Sequence, residues 1–353
     1  YNSLGDRVWS KDKLGNVTNF EFDDLRRMVK RISPPDAQGR RAVREYQYTQ
    51  AGQISKSIDP KGTVTKHEHD PHGRLKATIT AVGTPLEART EQTHDSAGRL
   101  KTVKDARGHV TTHFYDDLDR LVSTKDALGY SNSTIYDLAG RRSSTKDREH
   151  NETTYVYDAL RDWLEEVHFA DGSAVKYEHN VLGQQVTMID QLGRRVEQVY
   201  DPLGRAVVQR RFLDGRPLER TTVFDAAGNA KATIDAMDRR TDNTFDELNR
   251  LVLVEKPSPD GTAPRPTVQR VHDAASRLKT LVKANGATWR FGHDNLGRVV
   301  WQEDPLGLRK SFKHDLNGNI EEKTDAKGQT TAFQYNSRNE LTRVDYADGQ
   351  WAE

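Results

Sequence analysis

The chain of 353 residues has no cysteine, so disulfides and thiolate metal sites are both excluded. Its longest purely aliphatic run is Leu251-Val252-Leu253-Val254, far short of a membrane-spanning helix. No helix-periodic segment with a cap pair stands out. Charge of one sign is also missing: 54 basic and 53 acidic residues are interspersed and leave a net +1. That balance gives no basic stripe for nucleic acid or an anionic membrane surface. Apolar residues are scarce as well, at 34 % with a mean hydropathy of −0.87. This is too little for several thick cores in a chain of this length. Disorder is nevertheless not the reading, because the aromatic residues recur in register. A thin structure wetted on two faces reconciles the two observations.

What is present is a repeat. Tyr, Phe or His returns at positions 1, 22, 48, 69, 94, 115, 136, 157, 179, 200, 224, 245, 272, 293, 314 and 335, and ten of the fifteen gaps are 21 residues. An Asp usually follows, then a turn. The dyads His69-Asp70, His94-Asp95, Tyr115-Asp116, Tyr136-Asp137, Tyr157-Asp158, Tyr200-Asp201 and His293-Asp294 show the pattern, with Gly73, Gly98, Gly140, Gly204 and Gly297 as turn glycines. A second Asp-x-x-Gly turn lies about ten residues later, as in Asp59-Pro60-Lys61-Gly62 and Asp304-Pro305-Leu306-Gly307. Asp bonds the backbone two residues on, Pro presets φ at the second position, and Gly accepts a left-handed fourth position.

Between turns, residues two apart alternate, as in Thr111/His113/Tyr115 and Thr331/Phe333/Tyr335, which is the period of a strand. Two strands and two four-residue turns fill 21 residues, so each repeat is one antiparallel hairpin. The spacing predicts an all-β chain, a single array over 1–353 of sixteen repeats incomplete at both ends, with roughly 32 strands in one long coiling sheet. Pro-rich insertions near 33–43, 80–90, 211–220 and 255–267 read as longer turns at one rim, not as domain boundaries.

Units such as Tyr200-Asp201-Pro202-Leu203-Gly204-Arg205 resemble the YD, or Rhs, repeat of bacterial Rhs polymorphic toxins, insecticidal toxin-complex B and C components, wall-associated proteins and teneurins. The resemblance covers essentially the whole chain. It implies a sheet that spirals into a hollow β-shell, in which a C-terminal toxin domain is enclosed for delivery. The implied partners are that toxin domain, on the same polypeptide or a partner subunit, and the secretion machinery. The implied location is secreted or delivered from bacterial cells. The family's self-cleaving core and toxin domain find no match here, so no catalytic residue is carried over, and the chain reads as a piece of a longer protein without its targeting signal. Three departures stand out. The units at Phe22–Met28 and Tyr157–Trp163 lack the turn glycine, and Tyr335-Asn336 lacks the Asp.

Other chemistry is weaker. His67, His69 and His72 invite a metal reading, but His69 fills the Tyr slot as five other histidines do, and no zinc-type spacing accompanies them. The Asp residues belong to turns rather than to a catalytic pair, and no cofactor motif is found. The Asn16, Asn132 and Asn151 glycan-acceptor matches follow from turn and strand composition. Strand aromatics such as Tyr46, Tyr155, Tyr177, Trp289, Phe291 and Phe333 read as inter-repeat packing. On the alternative reading, a carbohydrate-binding adhesion segment, the same aromatics would stack on sugars.

Overall fold

The computed structural model describes residues 1–352, and among them there is no helix. Thirty-two strands, from β1 (Trp9–Lys11) to β32 (Trp351–Ala352), form one antiparallel sheet, and each registered pairing joins sequence neighbours. This is the hairpin array that the spacing predicts. Because turns alternate between edges of such a meander, every first turn (after the aromatic) lies on one rim and every second turn on the other.

The strand after a first turn carries a bulge opposite the aromatic residue that precedes the turn. Phe114 faces Ser123 whereas Tyr115 faces Leu121, leaving Val122 as the extra residue, and the same shift recurs at Tyr136, Tyr200 and His293. The turn itself closes with two backbone bonds, for Asp95 the N–H donated to the Arg99 carbonyl and the Gly98 N–H donated to the Asp95 carbonyl. Its fourth residue is left-handed, with φ of 89° at Gly98. Arg26 takes φ 62° in the same place, so the unit lacking glycine keeps its turn. After Tyr157 the turn grows by one residue, with Asp158 N–H bonding the Trp163 carbonyl and Asp162 at φ 60°.

The four insertions all fall at second turns, and two become strand rather than loop. Near 211–220, β19 (Ala206–Leu213) and β20 (Arg216–Phe224) simply run longer and meet at Asp214-Gly215. Near 33–43, β3 (Met28–Pro35) extends to Pro34-Pro35, and the Ser33 hydroxyl accepts the Ala42 N–H beside the irregularity the prolines create. Proline is thus confined to strand ends, where a ladder loses little. The segments at 81–87 and 256–266 stay irregular.

Burial confirms how thin the protein is. Among the described residues the buried apolar ones are Ala77, Ala81, Val167, Val175 and Ala232, and no large side chain is fully buried. The chain packs as two units, one of Tyr1–Thr93, Lys104–Gly108 and Val268–Glu353, the other of His94–Val103 and His109–Thr267. Cohesion therefore comes from the ladder and from side chains reaching between neighbouring hairpins.

One such contact is steric. Gly292 pairs with Trp301, whose indole lies over it so closely that a Cβ at 292 would sit 1.9 Å from Nε1. Arg309 stacks on the same indole, 4.0 Å from the ring centroid. Valine normally favours a strand over glycine. Here Gly292→Val is expected to destabilise by about 1–3 kcal/mol through overpacking. Trp301→Ala in the same chain should recover part of the loss, read by denaturant unfolding of the double-mutant cycle.

Candidate functional site

The recurring site is the first turn and the ring of the next hairpin. In Asp116, one carboxylate oxygen accepts the N–H groups of Leu118 and Arg120, and the other accepts Arg120 Nε at 2.7 Å. The guanidinium is thereby aimed across the sheet, and its carbon lies 4.4 Å from the centroid of Tyr136. The pattern repeats from Arg27 to Tyr48, Arg99 to Tyr115, Arg141 to Tyr157 and Arg205 to Phe224. Arginine also donates to the carbonyl that opens the next turn, Arg99 to Asp116 and Arg298 to Asp315. The tyrosine hydroxyl reaches back, Tyr115 to the Leu100 carbonyl at 2.9 Å and Tyr200 to that of Gln185 at 2.8 Å. Aspartate, arginine and ring thus form a relay that recurs from hairpin to hairpin. The arginine is the member that spacing arguments undervalue, because an Arg after a turn reads as a strand residue. Its signal is its place four residues after the Asp in most units.

The relay acidifies its aspartates. Arg74 holds the Asp70 carboxyl at about 2, and Arg120 keeps Asp116 below the usual range. Where histidine takes the slot, the hydroxyl bond has no counterpart, and the Nδ1 atoms of His69, His272 and His314 are buried without a partner. His67 and His69 share a strand face, but no group of three metal-ligating residues exists among the described residues.

A second arrangement lies within the first unit. The second turns of hairpins 1 to 4 begin at Asp12, Asp36, Asp59 and Ala81, and the first turns of hairpins 13 to 16 begin at Asp273, Asp294, Asp315 and Asn336. These rims meet. Arg298 stands 3.7 Å from Asp36, and Asn295 Nδ2 donates to the Pro35 carbonyl at 2.9 Å. Arg40 donates to the His314 carbonyl. Lys61 pairs with Asp315 at 3.1 Å, Asn317 donates to Asp59 at 2.8 Å, and the Thr84 and Ser337 hydroxyls lie 3.2 Å apart. The turn-to-turn contacts across this seam join hairpins twelve apart, and Arg40 reaches one hairpin further to His314. Burial marks it: Asp36, Asp294, Asp315 and His314 are only 5 %, 5 %, 7 % and 8 % exposed. Spacing along the sequence carries no trace of the seam.

Burial pushes Asp36 and Asp315 up, yet for Asp36 the backbone N–H and guanidinium of Arg40 with the Gln38 N–H together outweigh this, and for Asp315 the Asn319 side chain and backbone with Lys61 do, so both end lowered. Burial, reinforced by Arg298, lowers His314 against the opposing pull of Asp294 and Asp315. His293 is lowered by burial and by Arg277.

Three comparisons place these features. The RHS repeat family model matches residues 94–131 and 314–350. The chain is 26 % identical over 368 residues to double-stranded DNA deaminase toxin A of Burkholderia cenocepacia (strain H111), covering 98 % of this chain and 23 % of that protein. Among solved structures, a Photorhabdus luminescens Tc holotoxin pore superposes with a TM-score of 0.70 at 15 % identity, over 94 % of this chain and 22 % of that one. A TcdB2-TccC3-TEV crystal structure gives 0.67 at 14 % identity, over 98 % and 21 %. The chain therefore spans less than a quarter of the length of the relatives it matches.

Two expectations follow from the site. Arg120→Met should cost about 1–3 kcal/mol, since it strands the Asp116 carboxylate and uncovers Tyr136, and Arg120→Lys should not restore it because an ammonium cannot fork and stack together. Chemical denaturation of the three proteins measures both. The lowered native value of His314 means its contribution is present above its ordinary value near 6.5 and is lost as pH falls below it. The melting temperature should therefore drop between about pH 7 and pH 5, before the lowered aspartates titrate, and His314→Phe should flatten that step. The repeated relay, the two stretches matched by the family model and the shared sheet together make the chain similar to the YD, or RHS, repeat arrays.

Proposed function

We propose that the chain is a non-enzymatic wall segment of a toxin-enclosing shell of the Rhs or toxin-complex kind. The observation that carries the reading is a sheet of 32 strands in which, among the described residues, no large side chain is fully buried. A wall needs area and polar faces rather than a core, and a polar face gives a cargo little apolar surface to adhere to. The dyads His69-Asp70 through His293-Asp294 and their turn glycines act as structural devices on this reading. The rings of Tyr115, Tyr136 and Tyr157 are clamped by the preceding arginine, and the Asp carboxylates are spent on turn N–H groups. The curated relative is named as a DNA deaminase toxin. Zinc deamination of the cysteine-ligated kind would have to reside outside these residues, which contain no cysteine. The partner is accordingly a toxin domain of the same polypeptide or of a partner subunit, and the place of action is outside the producing cell.

The test is protease protection of the C-terminal domain in the full-length protein. Intact protein should keep that domain resistant, and Lys61→Glu with Asp36→Ala, which open the seam, should speed its cleavage about tenfold or more. A domain cut equally fast with and without the array refutes the shell reading. Glycan-array binding abolished by Trp289→Ala would favour the adhesion reading instead.

A further inference from the structure

The register of the first hairpins sorts charge between the two faces of the sheet. On one face of β2 (Val17–Phe22), β3 and β4 (Arg41–Tyr48), Glu21 stands opposite Lys30, and Lys30 opposite Glu45. The same face runs on over β5 (Ile54–Ile58), β6 (Val64–His69), β7 (Leu75–Thr80) and β8 (Ala88–His94). There it carries Lys56 opposite Lys66, then Glu68 and Glu91 on either side of Ala77. Because side chains alternate along a strand, the other face receives the cross-strand rows Phe20/Arg31/Arg44, Tyr46/Ser57/Thr65 and His67/Thr78/Thr90. None of these rows holds a carboxylate. Arg31 and Arg44 stand directly opposite each other, both exposed, and neither has an ion pair among the described residues. Like charges in that relation repel.

Over this acid-free face lies a cavity of about 430 Å³, within the size range of small-molecule sites. Arg44, Ser57, Thr63, Thr65 and Thr80 line it from the sheet, and the turn at 336–340 lines it from across the seam. Two carboxylates border it, and both are already engaged. Asp59 accepts the N–H groups of Lys61 and Thr63 on one oxygen and Asn317 Nδ2 on the other. Glu340 accepts Asn336 Nδ2 at 2.8 Å and pairs with Arg338 at 3.4 Å. The Thr80 hydroxyl is turned to the Ala88 carbonyl. The hydroxyls of Ser57, Thr63 and Thr65 and the Arg44 guanidinium have no hydrogen-bond partner among the described residues. The cavity thus offers a fixed positive charge beside a set of free hydroxyls.

We infer that this cavity is a binding site for a phosphate monoester of a small hydroxylated molecule. Arg44 takes the phosphoryl group, because a guanidinium forks onto two phosphate oxygens where an ammonium offers a point charge. Ser57, Thr63 and Thr65 take the body of the ligand, since each hydroxyl both donates to and accepts from a polyol. A bound anion also relieves the repulsion between Arg31 and Arg44, which a neutral sugar leaves in place. A cation would meet those arginines and find the bordering carboxylates spent on N–H groups.

The probe is glycerophosphate, titrated calorimetrically into the full-length protein, with glycerol as the neutral control. Glycerophosphate should bind with a Kd of about 1 mM or tighter, and glycerol should not bind. Arg44→Gln should weaken glycerophosphate by about tenfold or more. Lys66→Gln removes the same charge from the opposite face and should leave the affinity unchanged. Arg44 is exposed and unpaired, so the unfolding midpoint of Arg44→Gln without ligand should equal or exceed that of the parent. A lower midpoint makes Arg44 a structural residue and overturns the assignment. No binding up to about 10 mM overturns it as well. Equal weakening in the two variants overturns it in favour of diffuse charge attraction, and glycerol binding as tightly as its ester overturns it in favour of a neutral polyol.

Discussion

The fold depends on a guanidinium held in one orientation. In each complete unit the turn aspartate spends one oxygen on backbone N–H groups and the other on arginine, so the arginine projects flat across the neighbouring ring. A planar five-donor group serves here because it can satisfy a carboxylate with one edge, a carbonyl with another and an aromatic face with its plane. With so little apolar burial, this relay supplies the hairpin-to-hairpin cohesion that a core supplies elsewhere. A sheet without a second layer must be held from within its own plane.

That arrangement makes the protein close to one-dimensional. Each hairpin leans on its neighbours, and stability accumulates along the strip rather than towards a centre. Units that depart from consensus are tolerated for the same reason. Arg26 replaces the turn glycine without loss of the left-handed fourth position, and the extra residue after Asp158 is absorbed locally. Histidine in a ring slot is a costlier departure. It gives up the phenol's bond to the preceding hairpin and, at His314, leaves a buried nitrogen without a partner.

The seam adds a long-range element. Its residues are ordinary turn residues, and what distinguishes Asp36, Asp294 and Asp315 from Asp116 or Asp137 is only what lies against them. Their burial shows that surfaces which look solvated hairpin by hairpin become interior when two rims meet.

Much of this was legible in the chain alone. The period of 21, the alternation of Thr and aromatic residues and the Asp-x-x-Gly turns determine the hairpin, the strand count and the rim on which every insertion falls, because each is a local constraint on φ, ψ and the direction of a side chain. The ring's role in packing was legible too, whereas the arginine's was not, since its partner sits in the next repeat. Only the tertiary structure decided that Lys61 meets Asp315 and that the offset is twelve hairpins. Which rims meet depends on twist accumulated over hundreds of residues, and a repeating sequence says the same thing at every step.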